Sequence, residues 1–495
     1  MSQSRGSTTT ILFATTRRVL ESNLFFRFVL ALFVLQAGYI AVKSGYPLAF
    51  DEGFHVGVIQ LHAQQWNPFL GQLPDSANQF GAVATDPSYL YHYLLSFPYR
   101  AINLVTTNSF YIVLMLRFIS IAFFALGIVV YRKVLKFSGA SNALIGLTIL
   151  AFTMLPIVSF TAAQINYDNL LFLAVALALL LCLKFTEKLR KTGEFDISLL
   201  VLLIGTCLLT TQVKYVFVPI FVALTGYTAF IIWRWWRKGR VQAQKSIKKN
   251  YRSITTRTKL TLLGFIIISG GLFGWRIGYN VVQYVAVVPD CSKVNGVESC
   301  MQYGAWARNY TLGQTHTPNP SFAQQRQFAE VWTKISGTQL FSILDANKNG
   351  AQLEPTKQLV GGAALIVIGG VLLLAFYWRR FWPPSHPQIV FLLASGAYVL
   401  SLLTINYAQF TEFGIPIAIQ GRYLIPILPL LMVLLGIIYA KSLVKRPQLK
   451  LAIFAIAIII GLNGGGVLTY LQQTDQTWYW SDNAQTILPE PLTLQ

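Results

Sequence analysis

Asp51-Glu52-Gly53-Phe54-His55 puts two carboxylates and an imidazole together at the end of the first long apolar run, and Asp86-Pro87-Ser88-Tyr89-Leu90-Tyr91 follows some thirty residues later. A carboxylate can take a proton from a hydroxyl, and a neighbouring acid can orient the reactants. The chain has only 18 acids among its 495 residues. A pair of them beside an apolar run therefore suggests chemistry at a lipid boundary.

Four cations lie in or at the ends of apolar runs: Arg117, Lys214, Arg276 and Arg422. A charge at mid-bilayer costs about 2.5–3.5 kcal/mol on insertion scales, so each must snorkel, pair or meet a ligand. Asp168 and Glu412 are the candidate partners. Several cations near several acids suit an anionic ligand, because Arg forks and Lys point charges both bind phosphate. His55 can hold Asp51 or touch an acceptor. No cofactor is certain; a divalent metal on Asp51, Glu52, His55 and His62 stays an open alternative.

The elements that must position these groups are membrane spans. With 54% hydrophobic and only 12% charged residues, the composition excludes an ordinary soluble core. Runs of about 20 apolar residues, long enough to cross roughly 30 Å of hydrocarbon, predict about eleven transmembrane helices. They fall near 25–43, 109–130, 141–162, 167–184, 198–212, 215–233, 260–283, 358–378, 388–406, 423–440 and 451–470. The net charge of +21 is unevenly placed. With a cytoplasmic N-terminus, 26 of the 39 Lys and Arg residues fall on the inner side and 14 of the 18 acids on or near the outer side. That is the positive-inside pattern, and it predicts a multi-pass protein of the plasma (inner) membrane with its C-terminus outside. The ten basic residues between Arg234 and Lys259 read as topology and contact with anionic lipid headgroups rather than as a nucleic-acid surface.

The expected organisation is a cytoplasmic segment 1–24, a transmembrane module 25–283 that includes the outer loop 44–108, a second outer loop 284–357, C-terminal helices 358–470 and an outer tail 471–495. Long loops in compact proteins tend to carry function. The first predicts two interfacial helices, from Glu52 to Gln65 and from Ser88 to Val105, the latter rich in Tyr. The second offers Trp306, Arg308, His316 and Trp332 to a hydrophilic ligand and covers a donor or an acceptor. Cys291 and Cys300 in it predict a short disulfide rather than a zinc site. Cys182 and Cys207 read as buried small hydrophobes.

Five stretches resemble the GT-C superfamily of polytopic glycosyltransferases that use polyprenyl-phosphate sugars, in particular a bacterial branch with a D-E-x-x-H signature. Asp51-Glu52-x-x-His55 resembles its first-loop acidic motif, and Asp86-Pro87-Ser88-Tyr89-Leu90-Tyr91 its P-P-L-Y-Y segment, with Ser88 for the second proline. Asn166-Tyr167-Asp168-Asn169-Leu170 resembles N-P-D-A-L, with Tyr167 for proline. Leu209-Thr210-Thr211-Gln212-Val213-Lys214 is a looser match to L-T-K, and Gln420-Gly421-Arg422-Tyr423 is similar to Q-G-R-Y. The resemblance implies an all-α GT-C-like bundle that moves a sugar from a polyprenyl-phosphate donor to a glycan, glycolipid or protein acceptor of the cell envelope, among membrane lipids and without nucleic acid. Asp51 would be the base, Glu52 and Asp86 secondary or positioning acids, and Arg422 the phosphate clamp. His55, Tyr89, Tyr91, Asp168, Lys214, Arg276 and Tyr423 would complete substrate binding. Such a mechanism expects Asp51 and Arg422 to face each other across roughly 6–12 Å, the width of one sugar with its reacting contacts.

Two other classes would use some of the same residues. A flippase or transporter of polyprenyl-linked glycans would line a central cavity with its cations. A glycan polymerase or ligase would work through the 284–357 loop. Against the first, the acids cluster in an outer loop; the second leaves Asp51 and Glu52 without a task. A non-catalytic scaffold is the last alternative, which an inert Asp51→Asn would favour.

Overall fold

The computed structural model describes residues 16–48, 51–71, 73–316, 320–344, 352–354, 356–444 and 446–480. The expected cytoplasmic segment through residue 15, with Arg5, lies outside the described residues, as do Lys445, the tail from 481, and 317–319, 345–351 and 355 of the second loop.

The described chain is helical, apart from a two-residue antiparallel strand pair, Ile343–Leu344 with Gln352–Leu353. Among the described residues, seven helices are long and apolar enough to cross a membrane: Asn23–Lys43, Ser109–Lys136, Tyr167–Thr192, Tyr215–Lys238, Thr256–Tyr284, Lys357–Arg380 and His386–Phe413. An eighth crossing is available if the pair Asn142–Thr153 and Pro156–Ala162, bent by 71°, is one broken span. The other predicted runs are also helices, but Ile197–Val213, Leu428–Ser442 and Pro447–Leu462 have 17, 15 and 16 residues. At about 1.5 Å per residue they reach roughly 22–26 Å, short of the hydrocarbon thickness. An apolar run in sequence thus marks a buried or lipid-facing helix without fixing its length.

The break at Thr153 has a local cause. Pro156 has no N–H to donate to the preceding turn, so the chain stops and restarts there. Gly466 N donates to the freed Met154 carbonyl at 2.6 Å.

The core lies between Ser109–Lys136 and Tyr167–Thr192. Gly127 lets them meet, since a Cβ there would come within 2.5 Å of the Phe172 ring. Phe172 stacks on Phe124 at 4.3 Å, Tyr131 at 4.6 Å and Phe152 at 5.4 Å. The Tyr131 hydroxyl then donates to the Pro426 carbonyl, which ties the Gly421–Leu424 turn to this core. The outer shell is different: only 11% of the best apolar window of Thr256–Tyr284, and of Lys357–Arg380, is buried. Those helices leave apolar sides for lipid, as expected of spans at a bundle's edge.

The two helices expected in the first outer loop are present, as Glu52–Ala63 and Leu90–Asn103, though the first is buried along most of its length rather than on one face. They pack on each other, with Arg100 Nε donating to Ala63 O at 2.7 Å and Nη2 to His62 O at 2.9 Å. Cys291 and Cys300 form the predicted disulfide. Cys182 and Cys207 are buried and free. The basic helix Arg240–Ser253 docks through Ser246 and Asn250, which accept from Phe195 N and Ile197 N. It therefore sits where Tyr167–Thr192 ends, about 39 Å along that helix from Tyr167. Acidic chemistry and basic surface occupy opposite ends of one bundle.

Candidate active site

Asp51 and Glu52 are adjacent in sequence and separated in role. Glu52 is fully buried and accepts four hydrogen bonds: from Arg117 Nε (2.8 Å) and Nη2 (2.7 Å), Leu48 N (2.7 Å) and Ile165 N (3.1 Å). Arg117 also donates to the carbonyls of Ala41, Ser44 and Gly45. Every strong acceptor position of this carboxylate is taken. Glu52 is therefore a positioning acid that joins the first span, the interfacial helix and the entrance to Tyr167–Thr192, and it has no lone pair for a reacting proton.

Asp51 instead points outward. It is 57% exposed, and its Oδ2 meets Arg422 Nη2 at 2.9 Å, where Arg422 itself is 2% exposed. Its φ of 64° is in the left-handed region, which non-glycine residues seldom occupy and Asp tolerates better than most. Such conformations recur at functional sites. The expected gap of one sugar between Asp51 and Arg422 is closed by direct contact.

Arg422 is held by its turn. Gly421 N donates to Gln339 Oε1 at 2.9 Å, and a Cβ on Gly421 would lie 2.7 Å from Ser336 O and 2.8 Å from the Gln339 carbonyl carbon. Only glycine allows this approach to the Phe322–Thr338 helix. Burial acts to lower the Arg422 pKa, but Tyr423, Asp51, Asp168 and Tyr167 outweigh it and hold the guanidinium above its ordinary range.

The second ion pair is Lys214 Nζ to Asp168 Oδ1 at 2.7 Å, both nearly buried. Lys214 also lies 4.3 Å from the Tyr167 ring and 4.6 Å from the Tyr423 ring. Asp51, Tyr167, Asp168, Lys214, Arg422 and Tyr423 thus form one cluster. Asp168 is the partner expected for a buried cation, while Glu412 pairs with none of the four.

His55 sits behind this cluster. Its Nδ1 is 2.8 Å from His92 Nε2, the rings stack at 5.1 Å, and Tyr167 packs edge-on at 4.6 Å. Burial, then Arg422 and Lys214, push the His55 pKa well below the usual imidazole range. His92 is lowered likewise by burial, His55 and His62. His62 is lowered to about 3 by burial, Arg276 and Arg100. The four residues considered for a metal do not converge, because Asp51 pairs with Arg422, Glu52 with Arg117 and His55 with His92. Among the described residues no group of three or more His, Cys, Asp or Glu forms a metal-binding arrangement.

Asp86 belongs to a neighbouring centre. It accepts from Ser88 N at 2.8 Å, and burial raises its pKa while the Ser88 hydrogen bonds and Arg276 oppose the rise. Arg276 donates to the Ala84 carbonyl and lies 5.0 Å from both the Phe69 and Tyr89 rings. Tyr89 donates to Gln212 Oε1 at 2.6 Å. Tyr91 is a correction: it is fully buried in the main core with its hydroxyl 3.1 Å from Ser120 Oγ, so it packs the interfacial helix and touches no open site.

The second loop contributes at a place the motifs did not indicate. Tyr303 covers Gly81, where a Cβ would come within 2.7 Å of its ring, and lies 6.1 Å from Phe54. Burial, then the negative charges of Asp51 and Asp86, hold its hydroxyl above the ordinary phenol range. Of the loop residues singled out earlier, Trp332 is a packing anchor bound to Asn406 at 2.9 Å. Trp306 donates to Asp290, and Arg308 and His316 engage only sequence neighbours. His92 directly follows the Asp86–Tyr91 segment but carried no spacing signal. Tyr303 had none, and Gln212 lay inside the Leu209–Lys214 stretch without being singled out.

No family model matches this chain. No curated protein matches it either.

Proposed function

We propose that the chain is a membrane glycosyltransferase that moves a sugar from a polyprenyl-phosphate donor to a cell-envelope acceptor, on the outer face of the plasma membrane, within a GT-C-like bundle of about eleven membrane helices. The observation that carries this reading is the ion pair between an exposed Asp51, in a left-handed conformation, and a buried Arg422.

The pair works as a substrate-gated base. Donor phosphate competes with Asp51 for the Arg422 guanidinium, and Arg422 binds phosphate in forked geometry. The released Asp51 carboxylate then accepts the acceptor hydroxyl's proton. The acceptor oxygen bonds to the anomeric carbon as the bond from that carbon to the phosphate oxygen breaks. Its electron pair leaves with polyprenyl phosphate, and the configuration at the sugar inverts. Arg422, with Lys214 nearby, offsets the charge developing on the leaving phosphate. Asp168 and the Tyr167 and Tyr423 rings fix Lys214. Buried, neutral His55 packs behind Tyr167 and adds no positive charge. The two ion pairs and the outward acid favour this over a flippase or polymerase.

The test is transfer in membranes from a synthetic short-chain polyprenyl-phosphate sugar. Asp51→Asn is expected to lower kcat by about 10²-fold or more, in line with general-base contributions, with donor binding retained or tightened because Arg422 is freed. Unchanged turnover in Asp51→Asn sinks the mechanism.

A further inference from the structure

Arg276 is the buried cation that its surroundings leave unneutralised. It is 3% exposed, and its Nε and Nη2 are buried without a protein partner. Arg117, Lys214 and Arg422 each have a carboxylate within ion-pair distance; among the described residues Arg276 has none. Asp86 is nearby, but burial raises its carboxyl and weakens it as a counter-charge. A buried, half-satisfied guanidinium carries a large penalty that an incoming anion removes.

The group lines a cavity of about 620 Å³ between the first outer loop, the end of Thr256–Tyr284 and the disulfide-closed segment. That volume is within the roughly 300–1,000 Å³ of small-molecule sites. Its wall also presents Asn78, Thr85, Asn295, Phe69 and Trp275. Amides and a hydroxyl beside flat ring faces match a sugar, which is polar around its rim and apolar across its C–H faces. An acyl chain would call for an unbroken apolar wall.

From this we infer that the Arg276 cavity is a subsite for an anionic saccharide, one whose carboxylate or phosphate meets Arg276 while its ring rests on Phe69 and Trp275. Thr85 of its wall directly precedes Asp86, and Tyr303 reaches from Gly81 of the same wall to Phe54 in the Asp51–His55 segment, so the occupant is the acceptor glycan. That last role rests on the glycosyl-transfer reading; the binding does not.

Titration calorimetry of the full-length protein in nanodiscs tests it with four probes: a galacturonate disaccharide, a neutral galactose disaccharide, inorganic phosphate and a short-chain polyprenyl phosphate. The charged disaccharide is expected to bind roughly tenfold tighter than the neutral one or better, the ratio of a hydrogen bond to a charged group. Arg276→Gln should abolish that preference and keep the neutral affinity. Asn78→Ala should weaken both disaccharides alike, and it decides the matter if Arg276→Gln does not fold. Equal binding of the two disaccharides overturns the inference, as does indifference to both substitutions. Phosphate alone binding as tightly as the charged disaccharide marks a bare anion site, and polyprenyl phosphate displacing that disaccharide in an Arg276-dependent way marks a lipid-headgroup site; either overturns the saccharide assignment. Binding is read with no donor present, so it does not depend on turnover. Intact binding without any transfer would therefore sink the transferase reading alone.

Discussion

Asp51 and Glu52 show how far residue type alone can carry an argument. Both are acids one position apart, yet a helix turns them to different environments: four donors saturate Glu52, while exposed Asp51 meets Arg422 through one oxygen and keeps acceptor positions open for a proton. Glu52→Gln should destabilise the protein by about 3–5 kcal/mol, because Arg117 is then left as an unpaired buried charge. Thermal unfolding in detergent reads this, and the double change Glu52→Gln with Arg117→Met should recover part of the loss. A fully additive double variant would mean that the two side chains do not depend on each other. Three buried imidazoles give the stability of the interfacial helices a pH dependence. Their folded-state pKa values lie below the ordinary 6.5, to about 3 for His62. Below about pH 6.5 the unfolded chain binds protons that the folded chain refuses, so stability drops as pH falls toward 3, by roughly 1.4 kcal/mol per pH unit for each such ring. His62→Leu should make the decline of the thermal midpoint between pH 6.5 and 4.5 shallower. An unchanged slope would show that His62 is protonated in the folded state.

At the scale of elements, the site depends on two close approaches that glycine permits. Gly127 brings the two central helices together, and Gly421 seats the Arg422 turn against the Phe322–Thr338 helix. Gly421→Ala adds one methyl group against backbone atoms that cannot turn aside. It should cost about 1–3 kcal/mol of stability, as overpacking does, and lower transfer by up to about 10²-fold by displacing Arg422. Far-ultraviolet circular dichroism should stay unchanged while activity falls; full activity would show that the turn can shift without moving the guanidinium. Most elements were legible, since the apolar runs each produce a helix, but the run 141–162 read as one span breaks at Pro156, and the helix after Asp51 is buried along most of its length rather than on one face. Their lengths were not, because Ile197–Val213 and Leu428–Ser442 end where turns and tertiary contacts end them. That Asp168 would pair with a buried cation followed from charge economy in an apolar setting, but not that the cation would be Lys214. Tyr91 misled because a tyrosine beside a motif looks the same whether its hydroxyl meets a ligand or Ser120. Tyr303 was invisible because the long loop that carries it closes over Gly81 by a contact without sequence periodicity.

For the whole molecule the decisive property is the separation of charge along the bundle. Tyr167–Thr192 begins beside the Asp51–Arg422 pair and ends at Gly193, next to the basic Arg240–Ser253 helix. Lys and Arg are retained on the cytoplasmic side during insertion, so the basic end should face inward and the candidate site outward. Few native thiols interfere with a direct measurement: Cys182 and Cys207 are buried, and Cys291 and Cys300 are bridged. Exposed positions can therefore be converted singly, Glu330→Cys near the site end and Lys248→Cys on the basic helix. A membrane-impermeant maleimide should label Glu330→Cys in intact cells and Lys248→Cys only after permeabilisation. The reverse pattern would put Asp51, Asp168 and Arg422 in the cytoplasm, where soluble nucleotide-sugars replace lipid-linked donors as the available chemistry. The orientation would then overturn the proposed donor while leaving every contact within the site in place.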